Sequence, residues 1–380
     1  MDESTIGEMI WVDKPSALSK MVKDLACCSH VAVDTESNSL YAYQEQVCLI
    51  QFSTGSQDYL IDPLALKDLT ALESIFCSPD IEKIFHAAEY DIICLKRDFD
   101  FSFVNIFDTM LAGRILKYEQ IGLAAMLETE FGIVLDKRFQ RANWAERPLS
   151  DEQKAYARLD THYLIELRNR LNEVLEEKGL SALAREDFER MTKVHAGIPE
   201  NDNAHFWKLA YKQFLDQRQM AVLYELYQYR DRVARARNKP VFKVMGDKTL
   251  LDIAEKLPTS RDELLKLFGV NQRTVSMHGG EILAAIQRGQ AGKLPQRPVR
   301  RQPNGRFINL HEALRMWRKV TAQKLGIESD VVLPRDVMEV IAKENPTNRE
   351  ALQSIMSDLP WRFEEYGDEI LEVVHNQETS

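Results

Sequence analysis

Short apolar runs separated by turn-like stretches fill the first part of the chain. The runs at 30–33, 47–52 and 59–61 are rich in β-branched and aromatic residues, which are typical of strands. Further strands are predicted at Lys83–His86 and near Val104–Phe107, with helical patterns around them. The pattern predicts an α/β domain whose first strands form an antiparallel meander.

A helix is predicted from Ser150 onwards, because Ser150 and Gln153 match the capping-box pattern that starts helices. One face then repeats at helical spacing, through Tyr156, Asp160, Tyr163, Leu167, Leu171 and Val174. Asp160 therefore lies on an apolar stripe, where an unpaired carboxylate is costly, and Tyr156 lies one turn earlier on that face. A metal ion is the economical partner for such an acid.

The second half of the chain looks like two copies of one helical domain. A shift of 88 residues without gaps aligns several positions, namely Leu226, Tyr229 and Arg230 with Leu314, Trp317 and Arg318, and Pro258-Thr259 with Pro346-Thr347. The aromatic–arginine pairs are interpreted as helical core, with nucleic-acid contact as the alternative. Between the copies, Gly289–Arg306 is a basic, proline-rich linker. The predicted domains are residues 1–195, 205–290 and 305–380.

Composition indicates a globular protein of several domains. The chain has 380 residues, of which 44% are hydrophobic and 28% charged, and no apolar run is long enough for a membrane helix. The acidic N-terminus does not resemble a signal peptide, so a cytoplasmic location is expected. The five cysteines form no CxxC pair, which argues against a disulfide framework or a zinc site.

The net charge of −10 is unevenly distributed along the chain. Residues 1–190 hold 20 basic and 34 acidic residues, a net −14, whereas residues 191–380 hold 29 and 25, a net +4. Basic residues concentrate at 208–243, with nine against three acidic, and at 293–319, with eight against one. Such patches attract phosphate backbones, although a solvated helix face is an equal alternative.

Two further acidic motifs carry candidate chemistry. Asp34 and Glu36 end an apolar strand and share one of its faces, so their carboxylates could share a divalent cation. Taken alone, this motif is better explained as a solvated turn. Asp91 follows a predicted strand in the first turn of a helix, where it could simply complement the helix dipole.

Together these motifs resemble the DEDDy exonucleases, and in detail the ribonuclease D family. The supporting segments are Asp34-x-Glu36, Val47-Cys48-Leu49-Ile50-Gln51, His86-Ala87-Ala88-x-Tyr90-Asp91, Phe107-Asp108-Thr109, Gln140-Arg141-x-x-Trp144, Arg147-Pro148-Leu149-Ser150 and Tyr156-x-x-x-Asp160. The two trailing repeats resemble HRDC domains, and the second copy is the more divergent. The resemblance covers nearly the whole chain.

The resemblance implies a ribonuclease H-like exonuclease domain followed by two small all-α HRDC-like domains. It implies 3′→5′ hydrolysis of RNA to 5′-mononucleotides by a mechanism with two metal ions, Mg²⁺ or Mn²⁺. The implied metal ligands are Asp34, Glu36, Asp91 and Asp160. Asp34 is the best candidate to touch both ions, and Tyr156 would orient the attacking water. Structured RNAs such as tRNA precursors are the implied substrates, in tRNA 3′ processing, and a monomer is expected.

Several other residues are candidates for lining the site or holding the terminal nucleotides, and each has packing or local capping as its alternative: Gln51, His86, Phe107, Asp108, Thr109, Gln140, Arg141 and Trp144. Two rival functions differ in class. A DNA exonuclease of the same superfamily would differ in its contacts to the 2′-hydroxyl. A non-catalytic RNA-binding protein would be favoured by a missing acid, and none is missing.

Overall fold

A computed structural model describes residues 8–195, 203–292 and 304–378. These residues divide into two compact units. The first comprises the described residues of Met1–Glu36, Val47–Ala196 and Arg301–Ser380, and the second those of Ser37–Gln46 and Gly197–Arg300. Within the described ranges, no helix is long and apolar enough to cross a membrane.

A mixed sheet forms the centre of the first unit. Its strands are β1 Met9–Val12, β2 His30–Ser37, β3 Val47–Ser53, β4 Asp58–Ile61, β5 Glu82–Phe85 and β6 Ile106–Asp108. Their order across the sheet is β1-β4-β3-β2-β5-β6. β4 is antiparallel to β3 and parallel to β1, whereas β5 is parallel to both β2 and β6. The predicted α/β class is confirmed. β1 is missing from the prediction, because four residues are too few to show a strand period.

Eight helices among the described residues surround this sheet: α1 Pro15–Leu25, α2 Glu73–Phe76, α3 Glu89–Phe99, α4 Thr109–Ile115, α5 Leu123–Phe131, α6 Asp151–His162, α7 Leu164–Glu177 and α8 Ser181–Thr192. The predicted capping box is confirmed at the start of α6. The Ser150 hydroxyl accepts from the Gln153 amide, and the Gln153 side chain accepts from the Ser150 amide. The single helix predicted from Ser150 is two helices, because the backbone turns at Tyr163 (φ −98°, ψ 0°).

The two repeats contain equivalent helices at positions 88 residues apart. In the second unit these are α10 Gln217–Ala236, α11 Val241–Val244, α12 Asp247–Lys256, α13 Arg261–Leu264 and α14 Gln272–Ala291, and they are preceded by α9 Asn203–Ala210. In the first unit they are α15 Gly305–Leu325, α16 Ser329–Val332, α17 Arg335–Glu344, α18 Arg349–Ile355 and α19 Pro360–Glu378. The bounds of α12 and α17 differ by the same 88 residues that align the sequences.

The matched arginines make the same contact in each repeat. Arg230 donates to the Met245 carbonyl at 3.1 Å, and Arg318 donates to the Leu333 carbonyl at 2.9 Å. Arg230 is 4% exposed, which confirms the interpretation of this position as helical core. Residues 293–303 of the predicted linker, and with them part of the basic stretch 293–319, lie outside the described residues, as do 196–202.

The second repeat packs onto the part of the first unit that contains the sheet, through a buried ion cluster. Arg362, at the start of α19, is fully buried. Its guanidinium donates to Glu186 Oε2 at 2.9 Å and to Asp187 Oδ2 at 2.9 Å, both on α8, and also to the Val331 carbonyl at 2.8 Å. Because the charges are enclosed, removal of one partner would leave the others uncompensated.

We therefore expect Arg362→Met to lower the free energy of unfolding of the first unit by about 3–5 kcal/mol, because two carboxylates remain beside an apolar side chain. Urea unfolding followed by circular dichroism measures this loss. Arg349→Met is the matched control, because Arg349 pairs with Glu364 and Asp368 on an exposed face. The control should cost at most about 1 kcal/mol. Equal losses in the two variants would contradict the prediction.

Candidate active site

The first two predicted acids lie at the carboxyl end of the central strand β2. Val31, Ala32 and Val33 are fully buried between the helix layers, and Asp34 and Glu36 follow where the strand becomes half-exposed. Because side chains two apart share a strand face, the two carboxylates lie on one side of the sheet. The buried run thus fixes the direction in which the acids point.

Asp91 reaches this strand end from the neighbouring strand. β5 runs parallel to β2, with Ala32 paired to Ile84, and the chain then turns into α3. Asp91 is in the first turn of α3, where it is 6% exposed. The Thr35 hydroxyl, between the two acids of β2, donates to its carboxylate. This bond ties α3 to the acidic end of β2.

Helix α6 brings the remaining two residues to the same place. Ala157 and Thr161 are buried on the sheet, at 0% and 1% exposed. Tyr156 and Asp160 lie along one edge of this buried face. One carboxylate oxygen each from Asp34, Glu36 and Asp160 lies within 4.8 Å of the other two. The structure therefore gathers three of the four predicted acids into a group that could hold a cation, with Asp91 beside it.

The acids are electrostatically strained. Burial, and then repulsion from Asp160, raises the pKa of Asp34 well above its usual range. Burial, and then repulsion from Asp34, Asp160 and Asp91, raises the pKa of Glu36 to about 10. For the same two kinds of reason, the pKa of Asp91 is raised well above its ordinary value and that of Asp160 to about 7.

These shifts mean that the site favours a positive charge. Without one, burial and repulsion between ionised neighbours both favour the protonated form of these acids. The carboxylate oxygens of this site are hard ligands, which divalent cations such as Mg²⁺ prefer. Tyr156 responds to the same field: burial and the charges of Asp160 and Glu36 raise its pKa, so its phenol stays protonated. It can accept or donate a hydrogen bond, but it is a poor base.

Three of the weaker candidates form a buried network behind Asp91. Asp108 accepts from the Ala87 and Ala88 amides at 3.1 and 2.8 Å, which fastens the turn leading into α3. Thr109 donates to the Phe85 carbonyl at 3.0 Å and lies 2.9 Å from His86 Nδ1. Burial lowers the pKa of His86 to about 4, so its ring is neutral. These contacts hold the backbone that positions Asp91.

Three further candidates are enclosed. Phe107 is 2% exposed and packs on Phe188, with ring centroids 4.6 Å apart. Trp144 is 1% exposed and lies 6.1 Å from the Tyr156 ring between centroids. Gln51 is fully buried, and both polar atoms of its side chain lack a hydrogen-bond partner among the described residues.

The last two candidates, Gln140 and Arg141, are exposed in the turn before Trp144. Their predicted contacts with nucleotides stay predictions, as do those of the enclosed side chains. A cavity of about 210 Å³ beside the acids is lined by residues that the sequence pattern does not single out, among them Arg138 and Phe139, together with Tyr156 and Asp160. The Phe139 ring lies 5.9 Å from Tyr156 and 5.7 Å from the Arg138 guanidinium.

Comparison with protein-family models identifies both parts of the chain. A model described as a 3′-5′ exonuclease matches residues 9–176, and the HRDC domain model matches residues 219–286 and 308–374. The exonuclease match contains all five predicted catalytic residues, and the HRDC matches lie on the two repeats.

Relatives and solved structures agree with these matches. The exosome complex exonuclease RRP6 of Saccharomyces cerevisiae is 35% identical over 268 residues, which are 66% of this chain and 36% of the relative. The exosome complex component 10 homolog of Caenorhabditis elegans is 32% identical over 287 residues, 74% of this chain and 33% of the relative. The chain thus spans about a third of the length of these curated relatives.

Two crystal structures are similar over most of the chain. RNase D of Escherichia coli, an exoribonuclease involved in structured RNA processing, superposes with a TM-score of 0.69 at 25% identity, covering 97% of this chain and 99% of its own. The catalytic core of RRP6 from Trypanosoma brucei gives 0.68 at 29% identity, covering 77% and 82%. The chain therefore belongs to the ribonuclease D and Rrp6 type of 3′-5′ exonucleases with HRDC domains.

Proposed function

We propose that this protein is a 3′→5′ exoribonuclease that releases 5′-mononucleotides from structured RNAs, including tRNA precursors. The observation that carries the proposal is the group of carboxylate oxygens of Asp34, Glu36 and Asp160 within 4.8 Å, with Tyr156 one helical turn from Asp160. Family membership supports the polarity of hydrolysis. The similarity to an exoribonuclease involved in structured RNA processing, over nearly the full length of both chains, supports the substrate class.

We further propose that the site binds two divalent ions, Mg²⁺ or Mn²⁺, through Asp34, Glu36, Asp91 and Asp160. The donor set fits, because these are hard oxygen ligands whose pKa values are raised by burial and by repulsion from one another, and a cation relieves both. When bound, such ions supply an activated water and neutralise charge on the attacking and leaving oxygens. Asp34 belongs to the oxygen group with Glu36 and Asp160, and its charge also acts on Asp91, so it is the candidate shared ligand.

The remaining roles belong to the chain's own side chains. The Tyr156 phenol, protonated at neutral pH, orients the nucleophilic water by hydrogen bonding. Arg138 is 72% exposed in its side chain and is paired with Asp136 at the rim of the cavity, so its guanidinium can turn to a phosphate of the RNA. Phe139 offers an aromatic ring beside Tyr156 on which a base can stack.

The domain organisation proposed for this function is an exonuclease domain at 1–195, a first HRDC domain at 205–290 and a second at 305–380. The basic stretch 208–243 supports RNA contact by the first HRDC domain, because phosphate backbones bind clustered Lys and Arg. A monomer in the cytoplasm remains our expectation for the working state.

The proposal predicts metal-dependent shortening of RNA from the 3′ end. The purified chain is incubated with 5′-labelled and 3′-labelled single-stranded RNA and with matched DNA, in Mg²⁺, Mn²⁺ or EDTA. A 3′ label should be released as mononucleotide at once, whereas a 5′ label should remain on a shrinking ladder. EDTA should abolish both signals, because the acids alone do not neutralise the phosphodiester charge.

Asp34→Asn is the matched control for this assay, because it keeps the shape of the side chain and removes one charge. We expect it to lower kcat by at least about 1,000-fold, as loss of a metal ligand removes several kcal/mol of transition-state stabilisation. The proposed function is contradicted if RNA survives in Mg²⁺ and Mn²⁺, or if Asp34→Asn degrades it as fast as the wild type. Preferential degradation of the DNA would identify DNA as the substrate.

Tyr156→Phe removes only the hydroxyl that faces the acids. Because positioned hydrogen bonding to a nucleophile contributes about 10²–10⁴-fold, we expect kcat to fall by about 100-fold while KM for RNA stays within about twofold. Steady-state kinetics on a 5′-labelled RNA measures both constants. Tyr118→Phe is the control, because it removes a phenol hydroxyl that donates to Glu130 and is not among the proposed site residues. An unchanged kcat in Tyr156→Phe would remove Tyr156 from the proposed mechanism.

The raised pKa values predict a pH dependence of stability in the metal-free protein. An acid whose folded pKa exceeds its unfolded value of about 4 stabilises the fold at low pH and loses that contribution as pH rises through the folded value. For Asp160 the loss extends to about pH 7, and for Glu36 to about pH 10. Each proton that the fold retains and the unfolded chain releases lowers the free energy of unfolding by at most about 1.4 kcal/mol per pH unit.

The melting temperature in EDTA should therefore fall between pH 6 and pH 8, and Glu36→Gln should reduce that fall, because one titrating acid is gone. Added Mg²⁺ should restore more stability at pH 8 than at pH 6, since the cation competes with protons for the same oxygens. Differential scanning fluorimetry of both proteins at both pH values measures these differences. A Glu36→Gln profile parallel to the wild-type profile would contradict the electrostatic account.

A further inference from the structure

Helix α6 has a second row of polar side chains, which lies on the side of the helix away from the catalytic residues. Successive residues of a helix are rotated by about 100°, so Tyr156 and Asp160 lie on one flank of the buried stripe formed by Ala157 and Thr161. Arg158 and His162 lie on the opposite flank. We call these the catalytic flank and the anchoring flank of α6. The helix is thus in contact with the protein on three sides.

The anchoring flank converges on one buried carboxylate. Asp58 begins β4, is 1% exposed, and accepts from the Ser53 hydroxyl of β3 at 2.6 Å. Arg158 Nε donates to Asp58 Oδ2 at 2.5 Å. His162 Nδ1 lies 2.9 Å from the same oxygen and 3.1 Å from Oδ1. Both oxygens of Asp58 are therefore occupied by partners from the sheet and from two successive turns of α6.

This cluster differs from the catalytic acids in its balance of charge. Burial alone would raise the pKa of Asp58, but hydrogen bonds from His162, Ser53 and Arg158 outweigh it and lower the pKa. The carboxylate is ionised, paired and enclosed at any pH at which the enzyme would work. Asp58 therefore has partners within the chain and does not depend on a bound cation.

We propose that Asp58, Arg158 and His162 are positioning residues that hold the catalytic flank of α6 against the acids of β2. The inference rests on the nuclease function proposed above, because it assigns these residues to the geometry of that site. The cluster blocks rotation of α6 about its own axis. Such a rotation would carry Asp160 away from the oxygens of Asp34 and Glu36.

The size of the effect follows from the radius of the helix. A side-chain tip about 5–6 Å from the axis moves by about 1 Å for each 10° of rotation. A misplacement of about 1 Å at a catalytic group can reduce the rate by about 100-fold. The bonds of Arg158 and His162 to Asp58 fix the rotation of α6 from the flank opposite Asp160.

The test compares Asp58→Asn with Glu82→Gln. Glu82 accepts from Arg168 Nε at 2.6 Å, with both side chains 17% exposed, so this pair joins α7 to β5 with a similar contact but does not touch α6. In both variants kcat and KM for RNA are measured as a function of Mg²⁺. The dissociation constant of Mn²⁺ is measured by calorimetric titration without RNA, which is a readout independent of activity.

We expect Asp58→Asn to lower kcat by about 10- to 100-fold and to weaken Mn²⁺ binding by about tenfold, with KM for RNA within about twofold of wild type. Glu82→Gln should leave kcat, KM for RNA and the Mn²⁺ dissociation constant within about twofold of wild type. This should hold even if its melting temperature falls as much as that of Asp58→Asn. Wild-type constants in a folded Asp58→Asn variant overturn the proposal. Equal losses in Glu82→Gln also overturn it, because they would indicate a general effect of stability.

A second pair of variants covers the case in which Asp58→Asn does not fold. Arg158→Lys keeps the positive charge on the anchoring flank, and Arg158→Met removes it. Arg158→Lys should retain most of kcat and of Mn²⁺ affinity, whereas Arg158→Met should lose them as Asp58→Asn does; equal constants in the two overturn the proposal. If the wild-type chain binds no Mn²⁺ and degrades no RNA, the proposed function itself has failed. If the wild type is active and the anchoring variants match it, only the positioning role has failed.

Discussion

The repulsion between carboxylates that the fold brings together is the constraint on which the rest of the molecule depends. Asp34 and Glu36 come from the central strand, Asp91 from α3 and Asp160 from α6. The ionised form of each is destabilised by the neighbouring acids. A flexible chain would separate them. The protein keeps them together because each is carried by an element that is fastened elsewhere, through buried strand residues, the hydroxyl of Thr35 and the face of α6 on the sheet.

The contrast with other aspartates near the same sheet makes this constraint visible. Asp58 is paired with Arg158 and His162, and Asp62 receives two bonds from Arg147, at 2.7 and 2.8 Å. Asp108 accepts bonds from backbone amides. These acids are compensated by the chain itself and act as fasteners. Within the described ranges, no Lys or Arg side chain pairs with the acids of the active site, so a bound cation can supply the missing positive charge.

Local patterns in the sequence were sufficient to predict the elements but not the contacts that fasten them. The capping box at Ser150 and the acid on an apolar stripe at Asp160 are readable because a helix repeats over short distances. The 88-residue duplication is readable for a similar reason. The pairing of Asp58 with Arg158 spans 100 residues of sequence and leaves no periodic trace. The short strand β1 and the turn at Tyr163 are likewise set by packing rather than by pattern.

The two copies of the helical domain differ in one buried attachment. Arg362 of the second copy corresponds to Thr274 of the first, a partly exposed residue whose amide is capped by Asn271. In the second copy this position is enclosed with Glu186 and Asp187. Because loss of one member of a buried ion cluster leaves the others uncompensated, the three positions constrain one another's substitution. The first copy could therefore not replace the second as the partner of α8, although the helices of the two copies have matching bounds.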